Sequence, residues 1–135
     1  MLFVDQERFE GLFLAGLAGS TSTDPMKLVA AAISGAAAFF PDEKRSWSRA
    51  RAQVLADNDA LMERELHKMS ALAETLAETL VSRGIDPTSA AFAAEAAVSV
   101  FRRSFSAWIA EGEERSFTEI ADAAWLALRQ LLSPR

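Results

Sequence analysis

DPTSAAFAAEAAVSVFRRSFSAWIAEGEERSFTEIADAAWLALRQLLS, residues 86–133, is the stretch whose reading decides the fold. Asp86-Pro87 has the form of an N-cap followed by proline at the first helical position, where a missing N–H is no loss. Ser116-Phe117-Thr118-Glu119 has the form of a capping box, in which the Ser and Glu side chains each satisfy a backbone donor the helix leaves unpaired. Two helices are therefore expected, over 86–111 and 116–133. Phe92, Phe101, Phe105, Trp108 and Ile109 lie in the first, and Phe117, Ile120, Trp125, Leu128, Leu131 and Leu132 in the second. A helix packed on one side needs a single apolar stripe. These two carry aromatics on more than one face, enough for an internal core and a second surface. That breadth predicts a partner.

The same signals recur upstream. A long helix is expected over 59–83, closed by Gly84 as a left-handed cap, with Leu61, Leu66, Met69, Leu72, Ala73, Leu76 and Leu80 as its stripe. Pro41-Asp42 opens a shorter helix, amphipathic through Trp47, Ala50, Val54 and Leu55, that stops around Asp57-Asn58. Asp24-Pro25 repeats the cap-and-proline pattern and starts a helix ending near Phe39-Phe40. The first helix is expected over 5–18, with Phe9, Leu12, Phe13, Gly16 and Leu17 on one side. The fold class is thus all-α, a bundle of about six helices in one domain spanning 1–135.

Composition agrees. The chain has 135 residues, half of them apolar, which suffices for a single core. Alanine, the best helix former, comes in runs at 30–32 and 36–38. Strict apolar/polar alternation and Asn-Gly or Asp-Gly hairpin signals are missing. With no cysteine, disulfides and thiolate chemistry are excluded. Met1 to Asp5, with no basic region before an apolar stretch, is not expected to begin a signal peptide. The longest apolar run, 28–40, is shorter than the ~20 residues of a membrane span. A soluble, cytoplasmic protein with no membrane contact is expected. Net charge is −5, and the one dense basic stretch, Lys44, Arg45, Arg49 and Arg51, is short. Arg102-Arg103 sits between aromatics. This chain by itself is not expected to bind DNA, because phosphate neutralisation calls for a basic face.

Residues for chemistry are few. His67 is the sole histidine; Glu63 shares its helical face, but the further ligands a metal site needs are not patterned elsewhere. There is no Gly-x-Ser-x-Gly elbow and no glycine-rich phosphate loop. Glu113-Glu114 reads as a solvated turn. The expectation is a protein that is not an enzyme, with no catalytic residue, metal or cofactor.

Arg49-Ala50-Arg51, the segment 58–65, Ala94-Glu95-Ala96-Ala97 leading through Phe101-Arg102 to Trp108, and Ser116-Phe117 before a last Leu-rich helix together resemble the effector domain of TetR-type (tetracycline-repressor-like) transcriptional regulators. The likeness is greatest over 46–132. Such regulators begin with a helix-turn-helix DNA reader, and this chain carries none, so DNA would be reached only through a missing N-terminal domain. The resemblance implies that the last two helices pair with those of a second copy in a four-helix bundle. The homodimer seam would draw on Phe92, Ala96, Phe101, Phe105, Phe117, Ile120, Trp125 and Leu128, shared with the protomer core. It also implies a small apolar or amphipathic effector inside the preceding helices, with Phe9, Phe13, Phe40, Trp47, Arg51, Met62, Leu66, His67 and Met69 as pocket residues. Effector binding would shift the population of two bundle arrangements, with the first helix as connector to the DNA reader. The rival readings are a stand-alone helical interaction or scaffold protein and a small-molecule carrier.

Overall fold

The structure, a computed structural model, describes residues 6–133. Among them are six α-helices, one 3-10 turn and no strand. The helices are α1 (Gln6–Ala18), α2 (Pro25–Ala37), α3 (Arg45–Ala56), α4 (Asp59–Ser82), α5 (Pro87–Trp108) and α6 (Phe117–Leu132), and the 3-10 turn, Asp42–Lys44, leads into α3. The expected first-helix start at Asp5, and the reading of Met1 to Asp5, lie outside the described residues.

The start signals do what their chemistry dictates. Asp24 accepts from the Met26 amide at 2.9 Å. Asn58 accepts from the Leu61 amide at 3.1 Å and so caps α4. Asp86 accepts from the Ser89 amide at 3.0 Å, and hydrogen bonds from the Ser89 hydroxyl and that amide lower its carboxyl pKa. At α6, Ser116 Oγ accepts from the Glu119 amide at 3.1 Å while Glu119 accepts from the Ser116 amide at 3.2 Å, completing the capping box. Gly84 takes φ +92° after α4, a conformation that costs other residues about 1–2 kcal/mol.

Helix α5 is the centre of the bundle, packed by α4, α2 and α6, while α1 lies along α2 in the most extensive helix pairing. Gly16 and Gly35 meet at that crossing, where neither position has room for a Cβ. The core is aromatic: Phe9, Phe13, Phe40, Phe101, Phe105, Trp108 and Phe117 are all buried. Many of their rings meet edge to face, as in the Phe9–Phe13 pair at 5.1 Å and the Phe13–Phe101 pair at 5.5 Å. Such arrangements match the positive ring edge to the negative face.

Three helix ends and two helix faces differ from the sequence reading. Helix α2 stops at Ala37, before Phe39-Phe40, because Pro41 disfavours helical backbone at the residue before it; the Phe39 and Phe40 amides turn to the carbonyls three residues back. Pro41-Asp42 opens the 3-10 turn, and the α-helix begins only at Arg45. Helix α5 ends at Trp108 rather than Glu111, with Gly112 at φ +84°. On α3 the buried face is Ser48 and Leu55, so Trp47, Ala50 and Val54 point outward. On α4 the buried face is Glu65, Met69, Leu72, Leu76 and Leu80, and Leu66 is exposed.

Arginines from neighbouring helices close two helix C-termini that lack a basic residue in their own last turn. Arg49 Nε donates to the Ile109 carbonyl at 2.5 Å and its guanidinium reaches the Ala110 carbonyl at 3.3 Å. Arg45 donates to the carbonyls of Glu113 and Arg115 in the α5–α6 loop and pairs with Asp42 at 3.1 Å. Arg83 donates to the Ser20 carbonyl at 2.7 Å, just past α1. Helix C-terminal carbonyls carry partial negative charge and lack intrahelical donors, so guanidinium groups suit them. Two members of the dense basic stretch, Arg45 and Arg49, therefore tie α3 to the loop that follows α5.

Candidate functional site

Two features stand out from the packed bundle. The first is an open groove whose floor is the outer face of α5. Helix α4 forms one wall through Leu66, Met69 and Ala73, and α6 forms the other through Ala124, Leu128 and Leu131. Along the floor, Phe92, Glu95, Ala96, Ser99, Arg103 and Ser106 repeat at helical spacing. Phe92 is 68% exposed, Leu131 82% and Leu132 64%. Large apolar side chains this exposed in one groove set this face apart from the rest of the surface. The groove measures about 1690 Å³, beyond the ~300–1,000 Å³ of a small-molecule site.

The second feature is the aromatic cage at the C-terminal end of α5. Phe40 is its hub. Its ring stacks on Phe117 at 4.9 Å and 21°, and approaches Phe101 and Phe105 at 5.6 Å and Trp108 at 5.8 Å. The Arg45 guanidinium lies 5.3 Å from the Trp108 ring centroid, a cation over a π face. Within the cage wall, Ser104 Oγ and Trp108 Nε1 are buried and make no hydrogen bond. Native interiors leave few such groups.

The pocket residues expected from sequence do not converge. Phe9, Phe13 and Phe40 are in the aromatic core, and Met69 is buried at the groove wall beside half-exposed Leu66. Trp47 and Arg51 lie together on the outer face of α3, the guanidinium 5.6 Å from the indole centroid. Met62 and His67 are on the exposed side of α4. Of the seam residues, Phe92, Ala96 and Leu128 line the groove. Phe101, Phe105, Phe117 and Ile120 are buried in the protomer, and Trp125 lines a small cleft between α6 and α2 with Ile33 and Ala37. Glu113, read as solvated, is held by Arg115 at 2.8 Å, which pulls its carboxyl down to about 2.

Sequence reasoning passed over Ser99 and Ser104, and gave Arg45, Glu95 and Arg103 no place in a site. For Arg45 and Arg49 a signal existed: two arginines one turn apart, beside helices without basic ends of their own. Ser104 had one too, as a lone hydroxyl inside the apolar stripe of Phe101, Phe105 and Trp108.

Among the described residues no helix is long and apolar enough to cross a membrane, and no group of three or more acidic or histidine side chains could hold a metal ion. The described residues form an all-helical bundle with an aromatic interior and a large open groove lined by both apolar and charged side chains. The chain matches no protein-family model, no curated protein and no solved structure.

Proposed function

We propose that the chain is the effector-binding and homodimerisation domain of a TetR-type transcriptional repressor, acting on DNA through a helix-turn-helix domain joined ahead of α1. The observation that carries the reading is the open groove over the outer faces of α5 and α6, the two helices the resemblance assigns to the dimer.

A second copy suits that groove in charge as well as shape. In a two-fold contact, residues equally spaced on either side of the axis face each other. Ser99 lies midway between Glu95 and Arg103, all three on the groove floor. An antiparallel α5–α5 crossing at Ser99 sets Glu95 against Arg103 of the second copy, twice. The small side chains of Ala96 and Ser99 allow the close approach such a crossing needs. A stable dimer of this kind buries on the order of 2,000 Å².

Coupling to the DNA reader runs through α1. Phe9 on α1 touches Phe40 at 6.4 Å and Phe101 at 5.2 Å. An effector that moves either ring moves α1, to whose N-terminal end the reader is joined. The ligand acts by binding one arrangement better than the other.

Light scattering across a concentration series tests the dimer. The expected mass is twice 14.7 kDa throughout. A monomer at every concentration rejects the α5–α6 seam and favours the carrier or scaffold reading.

A further inference from the structure

We infer that the aromatic cage is a closed ligand site plugged by Phe40, and that it takes a flat aromatic molecule bearing one hydrogen-bond-accepting oxygen, held by Trp108 Nε1 and Ser104 Oγ. This assignment deepens the effector-binding reading and rests on it.

Three observations carry it. Ser104 and Trp108 sit one turn apart on α5, so they share a face, and both polar atoms are buried without a hydrogen bond. The indole N–H can only donate, whereas the hydroxyl donates or accepts. A ligand oxygen that accepts from the indole and exchanges a hydrogen bond with Ser104 satisfies both. A purely apolar ligand leaves them as they are.

Phe40 has the position of a plug. It lies in the turn after α2, outside any α-helix, so it can leave without breaking a helical hydrogen-bond ladder. Its ring stacks nearly parallel on Phe117 and meets the Trp108 ring edge to face. A flat aromatic ring can take over that stack. The Arg45 guanidinium over the indole closes the outer side, and its hold on the α5–α6 loop links occupancy of the cage to that loop.

The test is a titration of the 15N-labelled chain with 1-naphthol, using naphthalene as the ring without the oxygen. The Trp108 indole signal is assigned by its loss in Trp108→Phe. With 1-naphthol this signal should move and saturate, and naphthalene should bind about tenfold more weakly, the scale of one buried hydrogen bond. Ser104→Ala should weaken 1-naphthol severalfold and leave naphthalene unchanged. Phe40→Leu, which keeps an apolar side chain, should tighten 1-naphthol by loosening the plug. An unmoved Trp108 signal at saturation overturns the site, as does equal affinity for the two probes. A persistent exchange contact between the indole N–H and a water in the 1-naphthol complex also overturns it, because water would then be the partner. Light scattering on the same samples separates the two readings: a monomer that binds 1-naphthol keeps the site and loses the dimer, and a dimer that ignores it does the reverse.

Discussion

Gly35 faces Gly16 so closely that a Cβ on Gly35 would stand 2.9 Å from the Gly16 Cα and 2.5 Å from the Leu12 carbonyl oxygen. Both obstacles are backbone, so no side chain can move aside to make room. Gly35→Ala is expected to destabilise the fold by about 3 kcal/mol, at the upper end of overpacking costs. Gly11→Ala is the control, since nothing lies within 4 Å of a Cβ there. It should stabilise by ~0.5–1 kcal/mol, the helix preference of alanine over glycine. Urea unfolding of the two variants reads the difference, and equal effects would contradict the close crossing.

Arg49→Ala should cost about 1–2 kcal/mol, since the guanidinium's hydrogen bonds to Ile109 and Ala110 are charge-assisted but partly exposed. Because Arg49 holds the end of α5, amide exchange should quicken over 105–110 and stay unchanged in α1. Arg49→Lys should recover only part of the loss, because a lysine lacks the fork that spans two carbonyls.

Glu113 gives the fold an acid-side pH dependence. Arg115 donates to its carboxylate and lowers its pKa from 4.5 to about 2 in the folded chain. A depressed folded-state pKa contributes stability that is complete above the unfolded value and is lost as pH falls through the folded one. The loss should therefore run from about pH 4.5 down to about 2. Glu113→Gln should flatten that part of the stability profile and leave the profile above pH 6 parallel to the parent's.

Charge reversal tests the crossing at Ser99. Glu95→Arg places like charges together at both Glu95–Arg103 contacts and should weaken the dimer at least tenfold at low salt, an effect that salt screens. Glu95→Arg combined with Arg103→Glu should restore most of the affinity. Failure of the double variant to recover would place the axis elsewhere on α5. Phe92→Asp should dissociate the dimer outright by placing a charge where an exposed ring now sits in the groove.

Helix number and order, and the starts at Asp24, Asp86 and Ser116, were legible in the chain because caps are local: each of these residues bonds an amide two or three residues on. The Gly84 stop is equally local. What a helix does with its faces is not local. Trp47 and Val54 form as good a stripe as Ser48 and Leu55, and only the position of α4 decides which is buried. Glu65 takes the core side of α4 and Leu66 the groove side by the same cause. The ends of α2 and α5 were misjudged where Pro41 restricts the backbone before it and where Arg49, 60 residues away in sequence, takes the Ile109 carbonyl just past the last turn. The aromatic content of α5 and α6 announced two surfaces, but assigning Phe101 inward and Phe92 outward required the neighbours in place. Hydrogen bonds that reach two or three residues are written in the sequence; burial depends on which distant segments arrive, and only the assembled bundle decides that.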